Sequence, residues 1–422
     1  LVMLLLLVPF ILWDLAAYLM RRRGDRDPAR RERLLRHFTE EELVAGRHHV
    51  SMHNRLAPIS RALFYFYFLA LLPGGLGARL EEALLLLLGG HWVLALPAFM
   101  LCILLFWTAL HLPLDAYREL VIEHDLGLST TSFELFVADR IKGFFVSWVL
   151  ASVLAFCVLG LVRALPSSWP IPAAAALLGI GAVLTWISPW FIAPLFNKFT
   201  KLQDEALEAD LRALVTRAGL KLQFIFVMDA SRRSNYLNAY FTGLGNSRRV
   251  VLYDTLVKAC PPAEILSVVA HELGHWRGRH IAKSFIMSSA GLVLGLLLLK
   301  ALLGWGPALA LLGFSSPDSL VLLVALPFLS TLTGTLTAPL GAALSRRFER
   351  EADQAAFELT GDPQAFISLE QRLVRKAQAD LLTPKALHRW YASHPLPEDR
   401  IAAAQAYSGK RTRSAACPPK SS

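Results

Sequence analysis

The chain has 422 residues, of which 55% are hydrophobic and 18% charged, with a formal net charge of +10. Its length would suit two or three soluble domains, but a mean hydropathy of +0.45 excludes an ordinary soluble protein, because apolar runs long enough to cross a bilayer recur along it. The excess of Lys and Arg lies between those runs, so it indicates topology and lipid contact, and no nucleic-acid partner is expected.

Seven apolar runs predict seven transmembrane helices. Residues 1–20 form the first, and Arg21, Arg22 and Arg23 follow it. A secretory signal carries its positive charge before the apolar core, so the pattern indicates a retained span with an outer N-terminus. The leucines at 83–88 either lengthen the second span or lie at the membrane interface. The other spans are predicted at about residues 60–77, 92–112, 143–163, 171–193, 284–304 and 320–341.

The positions of the basic residues predict the orientation in the membrane. Residues 21–58 are rich in arginine, so the positive-inside rule places them in the cytoplasm. With seven spans, each large polar segment then lies on that side. The outer turns near 78–91, 164–170 and 305–319 contain few lysines or arginines, as this topology requires.

The largest polar segment, residues 198–283, has the pattern of a small α/β unit. Its last helix is expected to continue directly into the sixth span. The predicted elements are a helix at 203–218, a strand at 220–228, a hairpin of strands at 238–243 and 249–253 with its turn at 243–247, and a helix that begins at Pro261 and Pro262.

That last helix carries the motif His271-Glu272-Leu273-Gly274-His275. Histidines four residues apart project from one face of a helix, close enough for both imidazoles to bind one zinc ion. Glu272 lies where a carboxylate can activate the attacking water. The alternative is a helix with two merely solvated histidines, so the interpretation depends on whether a third ligand lies on the same side.

The sixth and seventh spans form a hairpin that returns residues 345–353 to the level of these histidines. Glu349 and Asp353 are four residues apart on a helix, so both can face the metal. Two histidines and a glutamate are a frequent ligand set of catalytic zinc, and Asp353 can accept the outer N–H of a ligating histidine. Glu351 lies on the other side of the helix, and periodicity alone does not choose between the two glutamates. A charged helix end without metal is the alternative.

These residues resemble the type I CAAX prenyl proteases, which are membrane zinc endopeptidases. The resemblance implies that Glu349, not Glu351, is the third ligand and that Glu272 is the general base. It also implies that the seven helices enclose an intramembrane chamber capped by the protease domain. The stretches that carry it are His271–Trp276, Ser345–Asp353, Glu123–Lys142, Ile192–Lys198, and Asn238–Gly243 with Arg249–Leu256.

The resemblance also implies roles for residues outside the zinc helix. Asn238 and Ala239 match an exposed edge strand on which the substrate peptide lies, a mode that binds the backbone of any sequence. His394 and Arg400 match a pattern near the active site, where His394 would stabilise the oxyanion and Arg400 would orient it or the substrate. By chemistry alone a His-Pro turn is more often structural. His280 is expected to point away from the histidine pair.

These inferences predict a mainly α, polytopic membrane protein with a gluzincin-like protease domain that carries a small β-sheet on the cytoplasmic side. Residues 1–197 are predicted as an N-terminal membrane domain of about five transmembrane helices. Residues 198–410 are predicted as the zinc metalloprotease domain with the last two spans, and 411–422 as a disordered tail. One zinc ion per chain is expected.

The predicted activity is hydrolysis of peptide bonds by a zinc-dependent endopeptidase with Glu272 as general base. The expected partners are membrane lipid and a peptide or protein substrate, either a prenylated CAAX C-terminus or a related membrane-associated peptide. The composition is rich in arginine and alanine, which suggests a bacterial inner membrane where prenylated proteins are not expected. Quality control of membrane proteins is therefore the alternative. A non-enzymatic protein with a structural metal is the least supported hypothesis.

Overall fold

The computed structural model describes residues 2–242, 249–314 and 316–416 of the chain. Its helices are α1 (Val2–Arg23), α2 (Pro28–Leu35), α3 (Glu40–Leu71), α4 (Leu76–Leu87), α5 (Trp92–Tyr117), α6 (Glu123–Asp125), α7 (Phe133–Ala164), α8 (Pro170–Phe191), α9 (Ala193–Phe196), α10 (Glu205–Arg217), α11 (Asp254–Ala259), α12 (Pro262–Arg277), α13 (His280–Leu303), α14 (Gly306–Leu312), α15 (Leu322–Thr360), α16 (Pro363–Ala377), α17 (Lys385–Tyr391) and α18 (Pro397–Ala416). Its strands are β1 (Phe199–Lys201), β2 (Phe224–Met228), β3 (Ala239–Thr242) and β4 (Arg249–Tyr253).

Long apolar helices confirm a multi-pass membrane protein. Within the described residues five helical stretches can cross a membrane, or six if α3 and α4, which meet at a bend of 51°, count as one span. The leucine run at 83–88 thus lies in the second limb of a bent pair. Helix α1 covers the first predicted span, and the total of seven stays a prediction. The five stretches are Trp92–Asp125, Phe133–Ala164, Pro170–Phe196, His280–Leu303 and Leu322–Thr360.

Two hydrophobic cores organise the molecule. The first lies among the membrane helices and includes Phe99 and Leu159. The second joins the sheet to α10, α12, α16 and α18, and it also contains Leu34, Phe38 and Leu43 from the N-terminal region. The boundary predicted at residue 197 therefore does not separate two packing units, because α2 and the beginning of α3 pack in the second core.

A buried arginine anchors this N-terminal segment. The Arg30 side chain is 1% exposed and pairs with Asp25 at 2.8 Å and Glu398 at 2.7 Å. It also donates to the carbonyl oxygens of Leu381 and Thr383, both at 2.8 Å. Since a buried guanidinium needs all of these acceptors, residues near both ends of the chain are held together.

The sheet has four strands in the order β1-β2-β4-β3. Strand β1 is antiparallel to β2, β2 is parallel to β4, and β3 is antiparallel to β4 with Ala239 opposite Leu252. The predicted pairing of β3 with β4 is confirmed, and β3 is an edge strand. The first predicted strand, at 220–228, is shorter than expected and corresponds to β2 (Phe224–Met228). Strand β3 begins at Ala239, one residue after the predicted start at Asn238. The predicted turn at 243–247 lies outside the described residues.

Two expectations about helix ends are wrong. The zinc helix was expected to continue into the sixth span, but Gly278 and Arg279 separate α12 from α13, and Arg279 has a positive φ of 52°. The tail was expected to be disordered from residue 411, but α18 continues to Ala416. Residues 417–422 lie outside the described part of the chain.

Candidate metal centre

Helix α12 presents the two motif histidines side by side against α15. His271 and His275 have ring centroids 4.8 Å apart, and their Nε2 atoms are 3.1 Å apart. The close approach of the helices depends on Gly274, since a Cβ there would lie 2.8 Å from the backbone of Ala352. This close packing of α12 on α15 places Glu349, three residues before Ala352, next to the two histidines.

Glu349 completes a compact set of three ligand atoms. Its Oε2 lies 3.3 Å from His271 Nε2, and its Oε1 lies 3.2 Å from His275 Nε2. A tetrahedral zinc ion with ligands at about 2.0–2.1 Å requires separations of about 3.3–3.4 Å between them. Glu349 Oε2 is also buried and has no hydrogen-bond partner among the described residues. The donor set, its spacing and this unsatisfied oxygen all fit a zinc ion.

A network of charged residues on the side of His271 away from the metal fixes the orientation of its ring. Its Nδ1 donates to Asp353 at 2.8 Å, which leaves Nε2 free as a ligand. Arg400 donates two hydrogen bonds to Asp353, at 2.9 and 2.6 Å, and a third to Glu370 at 2.7 Å. Burial opposes protonation of His271, but the hydrogen bond to Asp353 and the nearby negative charge of Glu349 outweigh it and raise the pKa of His271 to about 9. The local field therefore favours positive charge at this position, as a divalent cation would supply.

A hydrogen-bonded relay from Glu351 through His280 orients His275, and the sequence did not reveal it. The Nε2 of His280 lies 3.0 Å from Glu351 Oε2, and its Nδ1 lies 3.0 Å from His275 Nδ1. Because a carboxylate only accepts, His280 donates through Nε2 and accepts the His275 Nδ1 proton, which leaves His275 Nε2 as a ligand. His280 was expected to point away from the pair, but it is buried against it. Glu351 faces this relay and lies outside the ligand set.

The position of His280 depends on the break after α12. A Cβ on Gly278 would lie 2.3 Å from His280 Nε2, so only glycine leaves room for the ring. The signal that could have found this relay is the glycine between two histidines five residues apart. The direction in which the His280 side chain points was not predictable, because it depends on the break between α12 and α13.

Glu272 stands beside the ligand set without belonging to it. Its side chain is half-buried, and within the described part of the chain it takes part in no hydrogen bond or ion pair. Burial raises its pKa above the usual range, and the neighbouring His271 and His275 oppose this effect only in part. A carboxylate that is more basic than usual and has no other partner suits proton transfer.

His394 and Arg400, predicted to work together, lie in different environments. His394 is exposed, and its Nε2 lies 3.4 Å from Glu349 Oε2 at the open side of the cluster. Its Nδ1 lies 2.8 Å from Ser393 Oγ. Arg400 is only 11% exposed and is fully engaged by two carboxylates. Glu370 and Asp353 outweigh the effect of burial and raise the pKa of Arg400, so it remains charged.

The edge strand β3 lies along the metal helix. Phe241 packs on Trp276, with ring centroids 5.5 Å apart. The Asn238 carbonyl accepts from the Tyr253 N–H in β4 at 3.0 Å, so the backbone groups of the next residue, Ala239, point to the open edge. The Asn238 side chain accepts the Ala239 N–H at 2.8 Å. Both predicted substrate-binding residues therefore lie at an edge where a peptide strand can add.

Comparison with protein-family models divides the chain into two matched regions. Residues 201–408 match the model of peptidase family M48. Residues 30–198 match a model described as the CAAX prenyl protease N-terminal region with five membrane helices. The first region contains every residue of the metal cluster.

Known proteins extend the similarity over most of the chain. CAAX prenyl protease 1 of Saccharomyces cerevisiae is 37% identical over 43% of this chain and 40% of its own length. A rice homologue of CAAX prenyl protease 1 (Oryza sativa subsp. japonica) is 30% identical over 74% of both chains. The crystal structure of S. mikatae Ste24p superposes with a TM-score of 0.82 at 25% identity, covering 93% of this chain and 96% of that one. The chain thus spans about two fifths of the yeast relative.

Proposed function

The chain belongs to peptidase family M48, a family of metalloproteases, as a homologue of CAAX prenyl protease 1, and on this premise we propose that it is an active zinc endopeptidase of the membrane. The observation that carries the proposal is the cluster of His271, His275 and Glu349, with ligand atoms 3.1–3.3 Å apart and Glu272 beside them. These three residues would hold the metal, and Asp353 would fix the tautomer of His271.

Zinc held by these residues would supply a Lewis acid that polarises the scissile carbonyl and lowers the pKa of water. Glu272 takes a proton from the attacking water and then returns it to the nitrogen of the leaving amine. The free carboxylate and raised pKa of Glu272 support this role. His394 lies at the open side of the cluster and donates an N–H to the carbonyl oxygen as negative charge develops. Arg400 acts through Asp353 as a positioning residue.

The substrate would bind as an added strand at β3. The Ala239 backbone faces the open edge, and the hydrogen bond from its N–H to Asn238 Oδ1 would give way to the substrate carbonyl. This mode selects an extended peptide and little of its sequence. We propose a C-terminal, membrane-associated peptide of the CAAX type, because the N-terminal region matches the CAAX prenyl protease membrane domain.

We propose that the membrane helices enclose a chamber, as the family resemblance implies. Only 11–28% of each apolar window is buried, which leaves most of the surface of each helix for lipid or for the wall of a chamber. We place the active site on the cytoplasmic side, since Arg21, Arg22 and Arg23 follow the first apolar run, and the arginine- and alanine-rich composition favours a bacterial inner membrane. Labelling of single cysteines placed on α10 tests this orientation, and labelling only from the periplasmic side would contradict it.

The proposed function is tested with detergent-purified protein and two matched peptides, one farnesylated at its CAAX cysteine and one unprenylated. We expect release of the C-terminal tripeptide from the farnesylated peptide, loss of cleavage with a chelator, and recovery with zinc. Equal cleavage of both peptides would favour the quality-control alternative. If zinc-loaded protein cleaved neither peptide nor a denatured membrane protein, the proposed activity would be wrong.

A further inference from the structure

A second pair of histidines four residues apart lies far from the metal centre in the sequence. His49 and His53 project from the same face of α3, with ring centroids 4.8 Å apart, the same separation as for His271 and His275. Glu123, at the beginning of α6, lies against them. Of the residues described, only these three and the set of His271, His275 and Glu349 bring three such ligand atoms within 4.8 Å of one another.

The geometry of this second cluster suits a metal better than a hydrogen-bonded network. Glu123 Oε1 lies 2.9 Å from His53 Nε2 and 3.8 Å from His49 Nε2. The separation expected between two ligand atoms of a tetrahedral zinc ion, about 3.3–3.4 Å, lies between these two distances. His53 Nε2 is buried, yet its short contact with Glu123 does not have hydrogen-bond geometry, and it has no other partner among the described residues. Glu349 Oε2 in the catalytic cluster has the same signature.

The surrounding residues prepare two of the three ligands. His49 Nδ1 donates to the Gln378 carbonyl at 3.0 Å, which directs the lone pair of Nε2 toward Glu123. Tyr236 donates to Glu123 Oε2 at 3.2 Å, which leaves Oε1 for the histidines. Glu123 itself follows a turn of π-helix at Arg118–Ile122, and such a turn changes the direction in which the next side chains point.

We propose that His49, His53 and Glu123 form a second metal site, which binds a divalent transition metal of the zinc class through His49 Nε2, His53 Nε2 and Glu123 Oε1. Imidazole ligands select zinc and its neighbours over magnesium and calcium. The sequence alone predicts one zinc ion per chain, and this site raises the expected number to two. The proposal does not depend on the activity proposed above.

The second site is structural rather than catalytic. Val50 follows the first histidine where Glu272 follows it in the catalytic motif, so the carboxylate proposed as general base has an apolar counterpart here. The metal would instead connect three parts of the molecule. His49 and His53 belong to α3, Glu123 follows α5, and Tyr236 lies just before β3. Binding there would fix the base of the strand on which the substrate is expected to lie.

Metal stoichiometry tests this proposal. Full-length protein is purified in detergent, saturated with zinc, dialysed against submicromolar free zinc, and measured for all first-row metals by mass spectrometry. We expect about two zinc ions per wild-type chain, one in His53→Ala, one in His275→Ala, and none in the double variant. His48→Ala is the matched control, since His48 is an exposed histidine of the same helix, and it should retain two.

Two results would overturn the proposal. One is a wild-type chain that retains a single zinc ion which disappears in His275→Ala. The other is a second zinc ion that persists in both His53→Ala and Glu123→Gln. The Glu123→Gln variant preserves the size of the side chain and its contact with Tyr236, so it loses the second metal without the packing change of an alanine. Retention of one zinc ion in these variants shows that the catalytic centre is still folded.

Discussion

The two His-X-X-X-His clusters differ in their surroundings more than in their ligands. Each has two imidazoles with centroids 4.8 Å apart and one glutamate. Behind the cluster of His271 lie two carboxylates and Arg400, whereas behind His49 lies a backbone carbonyl. Beside the first cluster stands Glu272, and beside the second stands Val50. We infer that the ligands of each cluster determine metal binding and that the neighbouring carboxylate determines which cluster is catalytic.

The largest expected effect separates the two glutamates near the catalytic cluster. Glu349→Gln removes a ligand and should abolish cleavage together with the catalytic metal. Glu351→Gln removes the negative charge behind His280, together with the pairs that Glu351 makes with Arg347 and Lys283, and should weaken zinc binding by about 10–100-fold without removing a ligand. Zinc affinity by competition with a chromogenic chelator measures both variants. If Glu351→Gln lost the metal and Glu349→Gln retained it, the ligand assignment would be reversed.

The charged support behind His271 should also contribute to stability. Arg400→Met leaves Asp353 and Glu370 buried without a counter-ion, which should cost about 3–5 kcal/mol. Arg375→Leu is the control, because its pair with Glu42 is partly exposed and should contribute less than about 1 kcal/mol. Thermal unfolding in detergent compares the two. Equal shifts in Tm would contradict the role assigned to Arg400.

The close approach of α12 and α15 should be sensitive to a single methyl group. In Gly274→Ala the new Cβ would lie 2.8 Å from the Ala352 backbone, so the helices must separate at a cost of about 1–3 kcal/mol. Glu349 should then move away from the histidines and the catalytic zinc should bind more weakly. Gly291→Ala, which meets open space on α13, is the control and should retain wild-type zinc affinity. Unchanged affinity in Gly274→Ala would show that the contact does not position Glu349.

The smallest expected effect concerns the second cluster alone. Tyr236→Phe removes the hydrogen bond to Glu123 Oε2 and should weaken the second zinc ion about tenfold, while the catalytic zinc is unaffected. Chelator competition should therefore show one shifted phase and one unshifted phase. If the competition phase of the catalytic zinc shifted instead, Tyr236 would act on the catalytic cluster and the assignment of its role would be wrong.

The sequence predicted the parts of the molecule that depend on local pattern. Apolar runs located the membrane helices, because hydrocarbon imposes length and composition on a span. Helical spacing predicted His271 and His275 as ligands, the family resemblance favoured Glu349 over Glu351, and the structure brings these three residues together. The pairing of β3 with β4 followed from two short β-rich segments close in sequence.

Interactions between distant elements were not predictable in this way. Arg400 meets Asp353 and Glu370 because α15, α16 and α18 pack together, and no sequence spacing encodes that packing. His280 contacts His275 because the helix is interrupted between α12 and α13, and the apolar pattern of the sequence does not indicate this break. The spacing of His49 and His53 was visible, but their third partner, Glu123, lies on another helix after a π-helical turn.

The most direct test of the account is the cleavage rate of Glu272→Gln with its zinc content measured on the same sample. The amide preserves the size of the side chain but cannot accept the proton, so kcat should fall by about 10²–10⁴-fold while the catalytic zinc is retained. Wild-type cleavage by the zinc-loaded Glu272→Gln variant would contradict the central claim that this carboxylate makes the first cluster catalytic.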